Sequence, residues 1–141
     1  FLLDTMKNLN VYLTFPGTCK DALTHYKEAL GGDIVSLQTF GETPSPNIPE
    51  DQKNNVMHSE FRSGDIYFMA SDSMQGQPLT SGDTVTLAIG LDSLEEQESI
   101  FSKLSDGGAV TMPLQDTFWG ARFGMLTDKF GINWMLNCEK K

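Results

Sequence analysis

This chain has little positive charge, little histidine and little cysteine. Ten lysines and arginines stand against nineteen acidic residues, a formal net charge of −9, and the basic residues never cluster. A protein that displaces counterions from a phosphate backbone needs a positive footprint, so no nucleic-acid partner is expected. The acidic balance otherwise speaks only for solubility. The two cysteines, Cys19 and Cys138, form no CxxC pair. They read as free thiols of a reducing, cytoplasmic setting rather than as a disulfide staple. No apolar run approaches the roughly 20 residues that span a bilayer, so no membrane partner is expected either. Neither GxGxxG after a strand nor GxxxxGK[ST] occurs, which disfavours dinucleotide and P-loop chemistry and leaves no cofactor in view. The opening FLLDT is too short and too poor in basic residues for a signal peptide. Met6 reads as a natural start, and residues 1–5 are expected to be an extension.

What is present repeats itself. LNVYLTF (Leu9–Phe15) alternates as a strand, and TCKDALTHYKEAL is a helix that Thr18 opens and Gly31-Gly32 closes. DIVSLQTF (Asp33–Phe40) is the next strand. The proline-bearing stretch Gly41–Asn54 has no apolar period and reads as a mobile loop. NVMHSEFR and DIYFMASD form a hairpin about Ser63-Gly64, and Ser73–Gly82 is a second loop. The plan then restarts with TVTLAIGL (Thr84–Leu91), a helix capped by Asp92 or Ser93 and stopped by Gly107-Gly108, the strand AVTMPL, and two strands within DTFWGARFGMLTDKFGINW. LGGDIVSL echoes DGGAVTMPL about 76 positions on. The expected fold is therefore α+β, two βαβββ modules at about 7–73 and 83–139 in one domain spanning 1–141.

Each module offers one helix to cover one sheet face, which leaves the other faces to line a concavity. Ile132, Trp134 and Leu136 alternate with Asn133, Met135 and Asn137, giving the last strand two unlike faces. In WGARFGM the apolar set Trp119, Ala121, Phe123 and Met125 suits the helix side. Gly120, Arg122 and Gly124 are then expected to face the hollow.

Several residues could carry chemistry, each with a plainer reading beside it. His58 and Glu60, two apart on one strand, suit a general acid/base pair, half a metal site, or a solvated strand face. Arg122 with Trp119 could hold a carboxylate or phosphate, or Arg122 could simply ion-pair with one of the nineteen acidic residues. Asp128 in TDKFG is the residue a hairpin turn requires. His25 reads as a residue of the helix surface. Cys19 stands at a helix start with no histidine beside it and reads as a bystander. The seven methionines, Met69 and Met135 among them, are core filler or an adaptable apolar lining.

NVYLTFPGTCKDALTHYKEALGGDIV, VMHSEFRSGDIYFMASD and DTFWGARFGMLTDKFGINWMLN together resemble the PhnB-like branch of the vicinal oxygen chelate superfamily over nearly the whole chain. That superfamily includes glyoxalase I, extradiol dioxygenases and bleomycin- and fosfomycin-resistance proteins. The resemblance implies paired βαβββ modules, a small-molecule ligand and, in many relatives, a homodimer. Metal-using members draw one His, Glu or Gln from the first and last strand of each module. Carried over by position, those slots fall near Val11, Met69, Thr86 and Met135, and a one-residue slip offers Asn10 or Tyr12 at the first. None makes a site for a hard or borderline divalent ion; thioether suits soft Cu(I). The expected function is metal-independent binding of a small molecule, with Arg122, Trp119, His58, Glu60, Tyr67, Met69, Met135 and Asn133 as cavity candidates and no metal ligand. The rival is an enzyme (lyase, isomerase or dioxygenase) with an atypical metal or acid/base site at His58 and Glu60. The branch also carries a demethylubiquinone methyltransferase label, which the missing glycine-rich S-adenosylmethionine loop and the βαβββ order disfavour.

Overall fold

Both helices end on a Gly-Gly pair, and the two glycines of each pair do different work. The structure, a computed structural model, describes residues 8–43, 47–74 and 77–140, so residues 1–5 lie outside it. Helix α1 (Cys19–Leu30) is followed by Gly31 at φ +73°, and α2 (Leu94–Ser105) by Gly107 at φ +78°. This left-handed conformation ends a helix at little cost only in glycine. The second glycine of each pair makes room. A Cβ on Gly32 would run into the Arg62 carbonyl oxygen, and one on Gly108 into that of Thr127. Each pair thus stops a helix and lets the next strand start against its neighbour's backbone.

By contacts the chain divides into two compact units. One joins the described residues up to Leu23 with Gly32–Pro78; the other joins Thr24–Gly31 with those from Leu79 on. Helix α1 therefore contributes its first part to one unit and its last part to the other.

The first unit holds β1 (Val11–Phe15), β2 (Asp33–Thr39), β3 (Val56–Ser63) and β4 (Ile66–Asp72) in the order β1-β4-β3-β2. Strands β1 and β4 run parallel and the other pairs antiparallel. Gly64, at φ +58°, opens the two-residue β3–β4 loop, which tight hairpins favour. Leu13, Val56, Phe61, Phe68 and Ala70 are buried, with the Phe61 and Phe68 rings stacked 4.9 Å apart. Asp72, also buried, accepts the Cys19 N–H at 2.9 Å and the Val56 N–H at 2.8 Å, tying the start of α1 to the sheet.

The second unit repeats the plan with β5 (Leu87–Leu91), α2, β6 (Ala109–Asp116), β7 (Ala121–Thr127) and β8 (Asn133–Glu139), in the order β5-β8-β7-β6. Gln97, Ile100, Phe101 and Leu104 of α2 are buried, as are Ile89, Leu126, Trp134 and Leu136 of the sheet. The Ser93 hydroxyl accepts the Glu96 N–H at 3.2 Å, so Ser93 is the cap. Pro113 sits on β6, an edge strand, where its missing N–H is tolerated.

The expected strand ends shift where pairing decides them. Strand β1 starts at Val11, whose partner is Phe68, and Leu9 is 98% exposed. Strand β5 starts at Leu87 opposite Trp134, leaving Thr84–Thr86 outside it. The Gly41–Asn54 segment, whose Pro44–Pro46 lie outside the described residues, is tied down elsewhere. Phe40 N–H meets the Asn55 carbonyl at 3.0 Å, Gly41 N–H meets that of Lys53 at 2.9 Å, and Glu50–Gln52 forms a 3-10 turn. No described helix is long and apolar enough to cross a membrane.

Candidate functional site

Paired residues share a sheet face, so the register fixes what the uncovered face of the first sheet presents. Ser36, Glu60, Met69 and Tyr12 form one row across β2, β3, β4 and β1. Tyr67 pairs with Arg62 on one side of that row, and His58 with Gln38 on the other. Four of the expected candidates, His58, Glu60, Tyr67 and Met69, thus lie together on one face.

Their side chains are coupled in two pairs. The Tyr67 hydroxyl donates to Glu60 Oε1 at 2.6 Å, a length typical of a charge-assisted hydrogen bond. That bond, with smaller effects of burial and of the Glu60 charge, raises the Tyr67 pKa above the ordinary phenol range. Tyr67 therefore remains a proton donor. The Tyr12 hydroxyl lies 3.4 Å from His58 Nδ1, with the rings tilted and 5.9 Å apart. The Arg62 guanidinium stands 4.6 Å from the centre of the Tyr67 ring. Met69 lies between the two pairs in the same row.

Tyr12 and Arg62 were not among the cavity candidates, yet both signals were present in the sequence. Tyr12 alternates with Val11 and Leu13, and Arg62 continues the two-residue spacing of His58 and Glu60. Val11 pairs with Phe68 on the helix-covered face, so it is Tyr12 that occupies the first inherited slot.

The second unit corrects the phase assigned to β7. Arg122 pairs with Cys138, Gly124 with Leu136 and Leu126 with Trp134, all on the face that α2 covers. Arg122 Nε donates to Gln97 Oε1 at 2.9 Å, and Nη2 donates to the Leu94 carbonyl; both partners are on α2. Glu98 lies at 4.0 Å. Gly124 gives room to protein, because a Cβ there would meet Phe101 and Leu114 at 2.9 Å. Arg122 is thus an anchor between strand and helix, and it forms no recognition couple with Trp119. Trp119, 57% exposed, lies in the β6–β7 turn with its ring edge-on to Phe118 and Phe123. The alternation misled because both faces of β7 carry large apolar residues.

Met135 and Asn133 do lie on the uncovered face of the second sheet, in rows with Met125 and Thr127. Asn133 is committed to the fold: it accepts from Thr127 Oγ1 at 2.8 Å and donates to the Gly82 and Val85 carbonyls. His25, expected at the surface, is 7% exposed, with Nε2 3.2 Å from the Leu104 carbonyl oxygen. The last part of α1 packs in the second unit, which buries it.

The donor set does not fit the metal that the fold family implies. The inherited slots carry the Tyr12 phenol, the Met69 and Met135 thioethers and the Thr86 hydroxyl, which do not make a site for a hard or borderline divalent ion. Among the described residues no group of three or more His, Cys, Asp or Glu is placed to hold one.

Comparison with known proteins agrees with this architecture. A family model described as 3-demethylubiquinone-9 3-methyltransferase matches residues 7–137. Protein YjdN of Escherichia coli (strain K12) is 34% identical over 143 residues, 94% of this chain and 96% of that protein. The crystal structure of PA1353 from Pseudomonas aeruginosa is 38% identical with a TM-score of 0.86, covering 96% of this chain and all of that one (100%). The PhnB protein from Bacillus cereus is 27% identical with a TM-score of 0.79, covering 94% and 99%. Likeness of fold alone extends to the fosfomycin resistance protein FosX from Mesorhizobium loti, at 11% identity and a TM-score of 0.62 over 96% of this chain and 94% of that one.

Proposed function

Because this chain belongs to the family described as 3-demethylubiquinone-9 3-methyltransferase, a PhnB-like branch of the vicinal oxygen chelate superfamily, we propose that it binds a small organic molecule and does so without a metal. The observation that carries the reading is the row Tyr12–Met69–Glu60 with Tyr67 and His58 on either side. It offers an apolar floor, ring faces, and hydrogen-bonding groups already held in place by one another. Binding faces of small-molecule sites have this make-up, mostly apolar and aromatic with a few positioned polar groups.

Methyl transfer stays outside the proposal. A sheet ordered β1-β4-β3-β2 with one helix per module has no strand, glycine-rich loop and helix of the kind that cradles a nucleoside cofactor. A second reading rests on the Tyr12–His58 contact at 3.4 Å. A phenol beside an imidazole can relay a proton, and with Glu60 one row away this face could act as an acid/base catalyst. We further propose a homodimer acting in the cytoplasm.

Native mass spectrometry of freshly purified protein tests these readings together. The expected result is a dimer, about twice the 15.6 kDa chain, carrying a retained organic mass that Glu60→Ala loses. Stoichiometric Zn, Ni, Mn or Fe, with a melting temperature that falls in chelator and does so no longer in His58→Ala, would overturn the metal-free reading.

A further inference from the structure

We infer that the uncovered face of the first sheet selects organic cations, a ligand class that rests on the binding role proposed above. The sign of the charge carries the inference. With Arg122 turned to α2, the fixed charge in the central row is the Glu60 carboxylate. Among the described residues no lysine or arginine lies within ion-pair distance of it, and the group that Glu60 engages is the neutral Tyr67 hydroxyl. That bond occupies Oε1. The second carboxylate oxygen remains to accept a charged donor, and charge-assisted bonds of this kind are about twice as strong as neutral ones.

The neighbouring rings add to the same preference. An aromatic face attracts a cation within about 6 Å of its centre, and the Tyr67 ring already takes one, the Arg62 guanidinium at 4.6 Å. The Tyr12 ring, 46% exposed, offers a second face at the other end of the row, across Met69. The Tyr67 hydroxyl spends its one proton on Glu60, so it meets a ligand with acceptor lone pairs and no charge. A flat molecule with an ammonium or amidinium group fits this set: its cation meets Glu60 and its body lies over Met69 and Tyr12. An anion would meet the Glu60 carboxylate, and the one cation flanking the row, Arg62, is already engaged on the Tyr67 ring.

Three probes of one shape separate charge from shape: benzylamine, benzyl alcohol and benzoate, titrated separately against the full chain by heteronuclear NMR. Benzylamine is expected to shift the Glu60, Tyr67 and Met69 amides and to bind about tenfold more tightly than benzyl alcohol, the scale of one charge-assisted hydrogen bond. Benzoate is expected to bind more weakly than either. Glu60→Gln keeps an acceptor for Tyr67 and should bring benzylamine down to the level of the alcohol, with the melting temperature unchanged. Equal binding of the three probes at this face would overturn the cation class while leaving the binding role standing. Shifts confined to other residues, or none with any probe, would overturn both.

Discussion

Four donors converge on the Asp128 carboxylate. The Tyr26 hydroxyl and the Trp134 indole N–H reach Oδ2 at 2.7 and 2.8 Å. The Phe130 and Ile132 amides reach Oδ1 at 2.8 and 3.1 Å. The turn role expected of this residue accounts for the two amides; the two ring donors come from α1 and β8. Each buried donor left unmatched costs about 1–3 kcal/mol. Asp128→Ala is therefore expected to destabilise by about 4 kcal/mol or more and Asp128→Asn by about half of that, read as a lower urea midpoint at constant m-value. Arg122→Gln is expected to cost about 1–2 kcal/mol and to leave any retained ligand mass unchanged, since its partners lie on α2. Cys19 follows a different logic. Burial, reinforced by the Asp72 charge and opposed by a weaker bond to Ser59, raises its thiol from 9.0 to about 12. The folded state thus favours the neutral thiol. Its contribution to stability is whole below pH 9.0 and is lost as pH rises towards about 12. The stability difference between wild type and Cys19→Ala should shrink across that range, and iodoacetamide near neutral pH should reach the thiol only as fast as the fold opens.

At the scale of elements, the paired glycines give a sharp contrast. Gly31→Ala meets nothing within 4 Å, so its cost is the left-handed backbone alone, about 1–2 kcal/mol. Gly32→Ala adds a collision with the Arg62 carbonyl, and Gly108→Ala collides with that of Thr127; both should lower the melting temperature well beyond Gly31→Ala. The repeat that carries these glycines was legible in the sequence, and with it the order of all eight strands and both helices. Alternation put His58 and Glu60 on one face of β3, and it is the pairing with β4 that brings Tyr67 and Met69 to the same face. Alternation failed on β7, where Phe123 and Met125 on the uncovered face outweigh Leu126 on the covered one and hydrophobicity gives the opposite phase. The pairing with β8, the Arg122 bonds to α2 and the packing of Gly124 against Phe101 decide it. The burial of His25 was not legible either, since nothing in ALTHYKEAL says which unit its second half will join.

Over the whole molecule, the exposed stretch Gln77–Thr84 between the two repeats is the place for a protease to enter. Among its described residues few hydrogen bonds hold it: the Gln77 amide donates to the Met74 carbonyl, and the Gly82 carbonyl accepts from Asn133. Limited subtilisin digestion is expected to cut first near Leu79, which is 44% exposed, ahead of Gly41–Asn54 with its cross-loop hydrogen bonds. A first cut inside β3 or β7 would contradict this assignment of order.

The placing of Thr24–Gly31 in the second unit has a consequence for how the gene can be divided. The linker that looks like the natural seam is not one. A polypeptide beginning at Leu79 lacks the Tyr26 hydroxyl that Asp128 accepts and the His25 ring beside Phe130, so produced alone it should be poorly ordered. Co-expressed with residues 1–78, it should regain its near-ultraviolet circular dichroism and co-elute with its other half. This chain is thus a candidate for split-protein reconstitution, in which two separately encoded halves report their own encounter by folding.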